Sequence, residues 1–294
     1  METTEEIKIN GKAIYATKGA AREYGRVGCN FYTGCPHECV YCYLKRGAPS
    51  KNLGGNVVQL KKCFKDVDDA LEKFKKDVER YKDLLRQTGV FFSFSTDPMI
   101  EQTRELTFSS LAVLLNNGIP AKVLTKDAWV NMDRANKNGW LYKNKLEQIG
   151  DTKLLQLGFT LTGRDDMEPN ASTNLERIQN MRCLHDVGFR TWASIEPVID
   201  WLHASMVVEM SLDCCDHYKI GLRSGVKKDY YSLVRSGMWM DELTKKITAA
   251  GRTVYLKESA RKLLQRCYKE GYYNEIMSRT VDMDGKNIVI KTEE

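Results

Sequence analysis

The sequence predicts an α/β protein whose mostly parallel sheet forms a partial (β/α)6 barrel, with an amino-terminal hairpin and a carboxyl-terminal helical and hairpin extension. Three observations predict it. From residue 90 onward, short apolar runs of strand length alternate with longer stretches of helical periodicity. The 294 residues, 42% of them apolar, suffice for one large α/β domain or two ordinary ones. Finally, polar residues recur at period two inside runs that would be unbroken apolar segments if they only filled a core.

The elements follow in order. Residues 5–17 alternate around Asn10-Gly11, a hairpin signal. Residues 27–33 read as the first barrel strand, leading into a cysteine-rich loop at 34–43. After a loop at 47–56 come a short strand, NVVQL, and a helix from Asp66 to Arg86 with Val67, Leu71, Phe74, Val78, Tyr81 and Leu85 along one stripe. Strands are then expected at 90–96, 121–126, 154–162, 190–199 and 217–222. The helices between them run over 104–117, a stretch ending near Ile149, 172–187 and 202–212, with one starting near Gly237. Ser172 or Thr173 caps the third of these helices and Gly188 closes it. A further strand at 253–257, a basic helix and a tail with an Asp-Gly turn complete the chain. The expected organisation is a hairpin cover at 1–25, the barrel at 26–258 and a helix with a hairpin at 259–294.

Within the strands, Ser93, Ser95 and Asp97 oppose Phe92 and Phe94, and Ser194 and Glu196 oppose Ala193 and Ile195. Lys126, Thr160, Lys219, Arg223 and Lys257 occupy matching places. Ligand sites of such barrels form at the carboxyl ends of the strands, so these residues are expected to rim a cavity. Charges in a closed site need partners, and an anionic substrate would supply them for the basic members.

The stretch GCPHECVYCY at 34–43 sets Cys35, Cys39 and Cys42 in a C-x3-C-x2-C spacing. From a loop, three thiolates are able to converge on one metal or cluster, and three protein ligands leave a coordination position open for chemistry. The alternatives are a structural zinc site recruiting His37 or Cys29, though no second C-x2-C knuckle is present, and an electron-transfer cluster, which takes four cysteines.

This spacing, with Tyr41 just before the third cysteine, resembles the radical S-adenosylmethionine (SAM) superfamily. Tyr41-Cys42-Tyr43, TDPM at 96–99 and VLTK at 123–126 resemble its spore photoproduct lyase-like branch. The resemblance implies a radical-SAM-type barrel and a 4Fe-4S cluster on Cys35, Cys39 and Cys42. It further implies reductive cleavage of S-adenosyl-L-methionine to a 5'-deoxyadenosyl radical. It places the SAM carboxylate at Lys126, helped by Thr160, and its amino group near Ser95, Thr96 and Asp97. Ser194 and its neighbours would flank the adenine, and Tyr41 would line the cofactor. Tyr43, Glu196 and Arg223 are the candidates for work on the substrate. A flavodoxin or ferredoxin is the expected reductant. The expected substrate is anionic, with nucleic acid or nucleotide as the leading class. The chain departs from true photoproduct lyases in one respect: between Cys42 and Cys183 it has only Cys63, close to the loop, where those enzymes carry a hydrogen-donating cysteine well downstream.

A net charge of +6 fits an anionic partner, although 45 basic against 39 acidic residues makes mostly a mixed, solvated surface. The rival class is a non-enzymatic, metal-stabilised nucleic-acid-binding protein. Nine cysteines, an odd number with a metal-type group among them, point to a reducing cytoplasm rather than a disulfide framework. The absence of a long apolar run argues against a membrane span.

Overall fold

The computed structural model describes residues 7–51, 53–129, 146, 148–227, 229–283 and 285–288. Two compact units divide the chain. The first holds residues 1–38 and 42–157, and the second holds Cys39–Tyr41 and Gly158–Glu294.

In the first unit, β1 (Ile14–Ala16) pairs antiparallel with β2 (Val27–Cys29). The hairpin expected over 5–17 is reduced, among the described residues, to one bridge between Asn10 and Tyr15. The reason is a competing acceptor: the Asp77 carboxylate takes the backbone N–H groups of Lys12 (2.7 Å), Ala13 (2.7 Å) and Ile14 (3.3 Å). The strand expected over 27–33 is also interrupted. After β2, Asn30 turns its amide to Tyr15 Oη (2.6 Å) and accepts from the Phe94 N–H (2.7 Å). The chain resumes as β3 (Tyr32–Thr33), paired with β4 (Gln59–Leu60) in a separate two-stranded sheet.

The helix expected from Asp66 to Arg86 is two helices, α1 (Val67–Arg80) and α2 (Lys82–Thr88), broken at Tyr81. Asp66 caps α1 by accepting from the Asp69 N–H. Strand β5 (Val90–Phe92) is shorter than the 90–96 expected, so Ser93, Ser95 and Asp97 sit on a loop rather than on one strand face. Helix α3 (Glu101–Asn116) leads to β6 (Ala121–Thr125) and β7 (Leu155–Thr160). The pairs β2/β5 and β5/β6 are parallel. Most of the helix expected before Ile149 lies outside the described residues.

The second unit follows the sequence reading closely. Helix α4 (Asn174–Asp186) starts on a full capping box between Thr173 and Glu176, and Gly188 follows it at φ 90°. Then come β8 (Arg190–Val198), α5 (Trp201–Ser211), β9 (His217–Leu222), α6 (Leu233–Ala249) and β10 (Thr253–Leu256). Strands β8, β9 and β10 are parallel in that order. The basic helix is α7 (Glu258–Cys267), followed by an unforeseen α8 (Glu270–Ser278). In the tail, Val281 bridges Asn287 and donates to Val254 O of β10 (2.9 Å). No described helix is long and apolar enough to cross a membrane.

Candidate functional site

The cysteine loop begins after β3 and is shaped by its backbone. Gly34 has φ 80°, and a Cβ there would stand 2.1 Å from Val57 O, so only glycine fits. The Cys35 N–H donates to Gly55 O (2.9 Å), and Glu38, at φ 53°, accepts from the Asn56 amide.

Two buried carboxylates then hold the side chains beside the ligand candidates. In the first unit, Asp97 accepts from His37 Nε2 (3.1 Å) and the Lys126 N–H (2.7 Å) on one oxygen. On the other it accepts from the Met99 N–H (2.9 Å) and Thr125 Oγ1 (2.7 Å). Burial would raise this carboxyl, but the bonds from His37, Lys126 and Thr125 outweigh it and hold the group down at about 2. Four donors fill the acceptor sites of a carboxylate. In this structure Asp97 therefore directs its bonds to protein groups. Its neighbours differ: Ser95 Oγ donates to Tyr32 O (2.5 Å), while Thr96 Oγ1 is buried with no hydrogen-bond partner among the described residues.

In the second unit, Tyr41 donates its hydroxyl to Glu168 Oε1, and the Val40 N–H donates to Met167 O (3.0 Å). Burial, then the Glu168 charge, keeps the Tyr41 phenol well above its usual range, so it remains a donor. Glu168 Oε2 accepts from Arg177 Nη2 (2.5 Å) and Thr162 Oγ1 (3.2 Å), and both charged side chains are fully buried. Arg177 also donates to Ser172 O and Thr160 O, so every charge in the cluster has a partner.

None of the nine cysteines forms a disulfide. Cys39 is buried, while Cys35 and Cys42 are half-buried. Among the described residues no three His, Cys, Asp or Glu side chains are already gathered as a metal-holding group. The donor set fits a cluster: three cysteines in no disulfide, at the spacing noted, on a loop whose flanking side chains are tied down. Cys29 fits no such role, because it is wholly buried in β2 and burial raises its thiol well above the usual range.

Of the remaining sequence candidates, Lys126 follows β6 directly, its backbone held by Asp97. Thr160 ends β7 and Ser194 lies in β8, both buried. Glu196 accepts from Lys257 Nζ at 2.5 Å, and Gly221 leaves the space this pair occupies, since a Cβ there would meet Glu196 Oε1 at 2.7 Å. Lys219 is buried against the rings of Trp192 and Tyr255. Arg223 lies over the Tyr230 ring, its backbone N–H donates to Tyr231 Oη (2.8 Å), and its Nε is buried with no hydrogen-bond partner among the described residues. Tyr43 is half-exposed and donates to Phe94 O (2.5 Å).

The residues that sequence reasoning missed are Glu168, Arg177 and Thr125. Arg177 carried a readable signal: with Asn174, Met181 and Leu184 it lies on the buried stripe of α4, where a charged residue needs a partner. Glu168 carried none, being one acid among several in a polar loop.

No protein-family model matches the sequence, and no curated protein does. Solved structures do match. A spore photoproduct lyase variant with bound S-adenosylmethionine and dinucleoside spore photoproduct aligns at a TM-score of 0.53 and 12% identity, over 76% of this chain and 63% of that one. Streptococcus suis SuiB bound to S-adenosylmethionine aligns at 0.49 and 12%, over 76% and 44%. A second lyase variant, with dinucleoside spore photoproduct, aligns at 0.46 and 11%, over 87% and 64%. The chain thus spans less than two thirds of the length of each of these structures. The first match bears out the α/β fold with a mostly parallel sheet, and with it the resemblance to spore photoproduct lyase at the level of fold.

Proposed function

We propose that this chain is a radical SAM enzyme acting on an anionic substrate. The observation that carries the reading is the C-x3-C-x2-C loop, its cysteines in no disulfide and its neighbouring side chains anchored, on a fold shared with a SAM-binding lyase. Cys35, Cys39 and Cys42 would hold a 4Fe-4S cluster. With cluster and SAM bound, such a site supplies a carbon radical from reductive SAM cleavage, and a flavodoxin- or ferredoxin-type protein would deliver the electron.

The chain's own residues bind and orient. Lys126, its backbone fixed by Asp97, is assigned to the SAM carboxylate, with Thr160 beside it in the assignment. Thr96, whose buried hydroxyl lacks a partner among the described residues, and Ser95 are assigned to the amino group. Ser194 is assigned to the adenine. Toward the substrate, the Arg223 guanidinium retains an unused buried donor, and an unsatisfied charged donor gains most from an anionic partner. The Lys257–Glu196 pair balances its own charge, so Arg223 carries the preference for an anion. Tyr43 is assigned to the substrate side of the loop. A nucleotide or nucleic acid is the leading substrate class, supported by the ligand of the matching lyase structure.

Anaerobic reconstitution with iron and sulfide, followed by an assay for 5'-deoxyadenosine under reducing conditions, tests the reading. Brown protein that releases 5'-deoxyadenosine from SAM is expected. Colourless protein holding tightly bound zinc and inert toward SAM would overturn it in favour of a metal-stabilised binding module. A panel of irradiated DNA, plain DNA, RNA, nucleotides and peptides then sorts the substrate class by stimulation of that release.

A further inference from the structure

The reading above uses Cys39 and Tyr41 but leaves unexplained the fully buried Glu168–Arg177 pair that Tyr41 touches. A buried ion pair is weak evidence for stability, because a well-packed apolar pair commonly does as well. Its presence is better accounted for by what it orients. Arg177 is locked by donations to Ser172 O, Thr160 O and Glu168, so the carboxylate it presents has a fixed direction. That carboxylate receives the Tyr41 hydroxyl, and one residue earlier in each segment Val40 donates to Met167 O. The contacts therefore run in step along the two segments, 40 with 167 and 41 with 168. Cys39, next in the chain, is buried, whereas Cys35 and Cys42 are half-buried.

We infer that Glu168 and Arg177 are positioning residues for the ligand loop, which act through Tyr41 to hold Cys39 in place before any cluster binds. The inference rests on the cluster-site reading for its purpose, while the positioning itself is a property of the apoprotein. No bond is made or broken. Because Tyr41→Phe removes only the hydroxyl and leaves the ion pair, it separates positioning from folding.

The test is timed alkylation of the apoprotein under reducing conditions with iodoacetamide, each cysteine being followed by peptide mass spectrometry. In the wild type, Cys39 should react much more slowly than Cys35 or Cys42. In Tyr41→Phe and Glu168→Gln, Cys39 should gain about tenfold in rate, the equivalent of losing one hydrogen bond to a charged acceptor. Cys214 and Cys215, buried elsewhere in the second unit, should stay protected and report an intact fold. Arg177→Lys, which keeps the charge, should restore most of the protection that Arg177→Met removes. After reconstitution, the electron paramagnetic resonance signal of the reduced cluster should shift in Glu168→Gln. Unchanged Cys39 protection in Tyr41→Phe would overturn the inference, even if Glu168→Gln unfolded the unit. The altered alkylation pattern in a protein that takes up no iron and sulfide would uphold the positioning and sink the cluster reading instead.

Discussion

Replacing Asp97 by Asn tests whether this residue serves the loop or a ligand. The amide keeps one oxygen and places an NH2 at the other position. With the oxygen at Oδ1, the donations from Met99 N–H and Thr125 Oγ1 survive as neutral bonds. The NH2 then faces the Lys126 N–H, donor against donor, while His37 is able to accept as its other tautomer. One hydrogen bond to a charged acceptor, about 1.5–3 kcal/mol, is lost, and a buried N–H is left unpaired at about 1–3 kcal/mol. These overlap, so the expected loss is about 3 kcal/mol. Proton linkage gives a consistent figure. The Asp97 carboxyl lies at about 2 when folded against a usual 3.8, which is about 2 kcal/mol. Because the folded value is depressed, this stabilisation is present above pH 3.8 and is lost as pH falls toward 2. Urea unfolding of the apoprotein should therefore show the full deficit at pH 7 and a shrinking one below about pH 4. A deficit under about 1 kcal/mol at pH 7, joined to a large loss of SAM affinity, would refute the reasoning and return Asp97 to the cofactor.

Other expected outcomes are as direct. Cys35→Ala, Cys39→Ala and Cys42→Ala should each abolish iron uptake, while Cys29→Ala should leave it unchanged, by iron and sulfide assay. Lys126→Ala should weaken SAM binding by roughly 10- to 100-fold in calorimetry of the reconstituted protein, with the cluster retained, as one charge-assisted contact is removed. Gly221→Ala, whose Cβ would meet both Glu196 and Lys257, should cost about 1–3 kcal/mol in urea unfolding. Less of that cost should remain when Lys257 is also shortened to Ala. Arg223→Ala should reduce stimulation of 5'-deoxyadenosine release by an anionic substrate and leave the uncoupled release intact; equal stimulation would remove Arg223 from substrate binding.

What the sequence alone determined was the set of local and periodic features. Strands such as 217–222 and the capped helix after Thr173 follow from side-chain alternation and from one hydroxyl beside one glutamate, interactions that span only a few residues. The C-x3-C-x2-C spacing was equally legible, because a spacing is a property of the sequence itself. Tertiary structure alone decided where long-range acceptors override local pattern. Asp77 takes the amides of a turn more than sixty residues away and replaces most of a hairpin, and Asn30 breaks a strand by bonding to Tyr15 and Phe94. Asp97 read as a residue on a strand face, whereas it lies on a loop and accepts from four donors gathered from three segments. Glu168 was invisible among other acids until its partners Arg177 and Tyr41 were brought to it. The physical reason is common to all four. A polar side chain's role is set by which donors and acceptors are buried with it, and burial brings together groups whose separation along the chain leaves no local pattern to read.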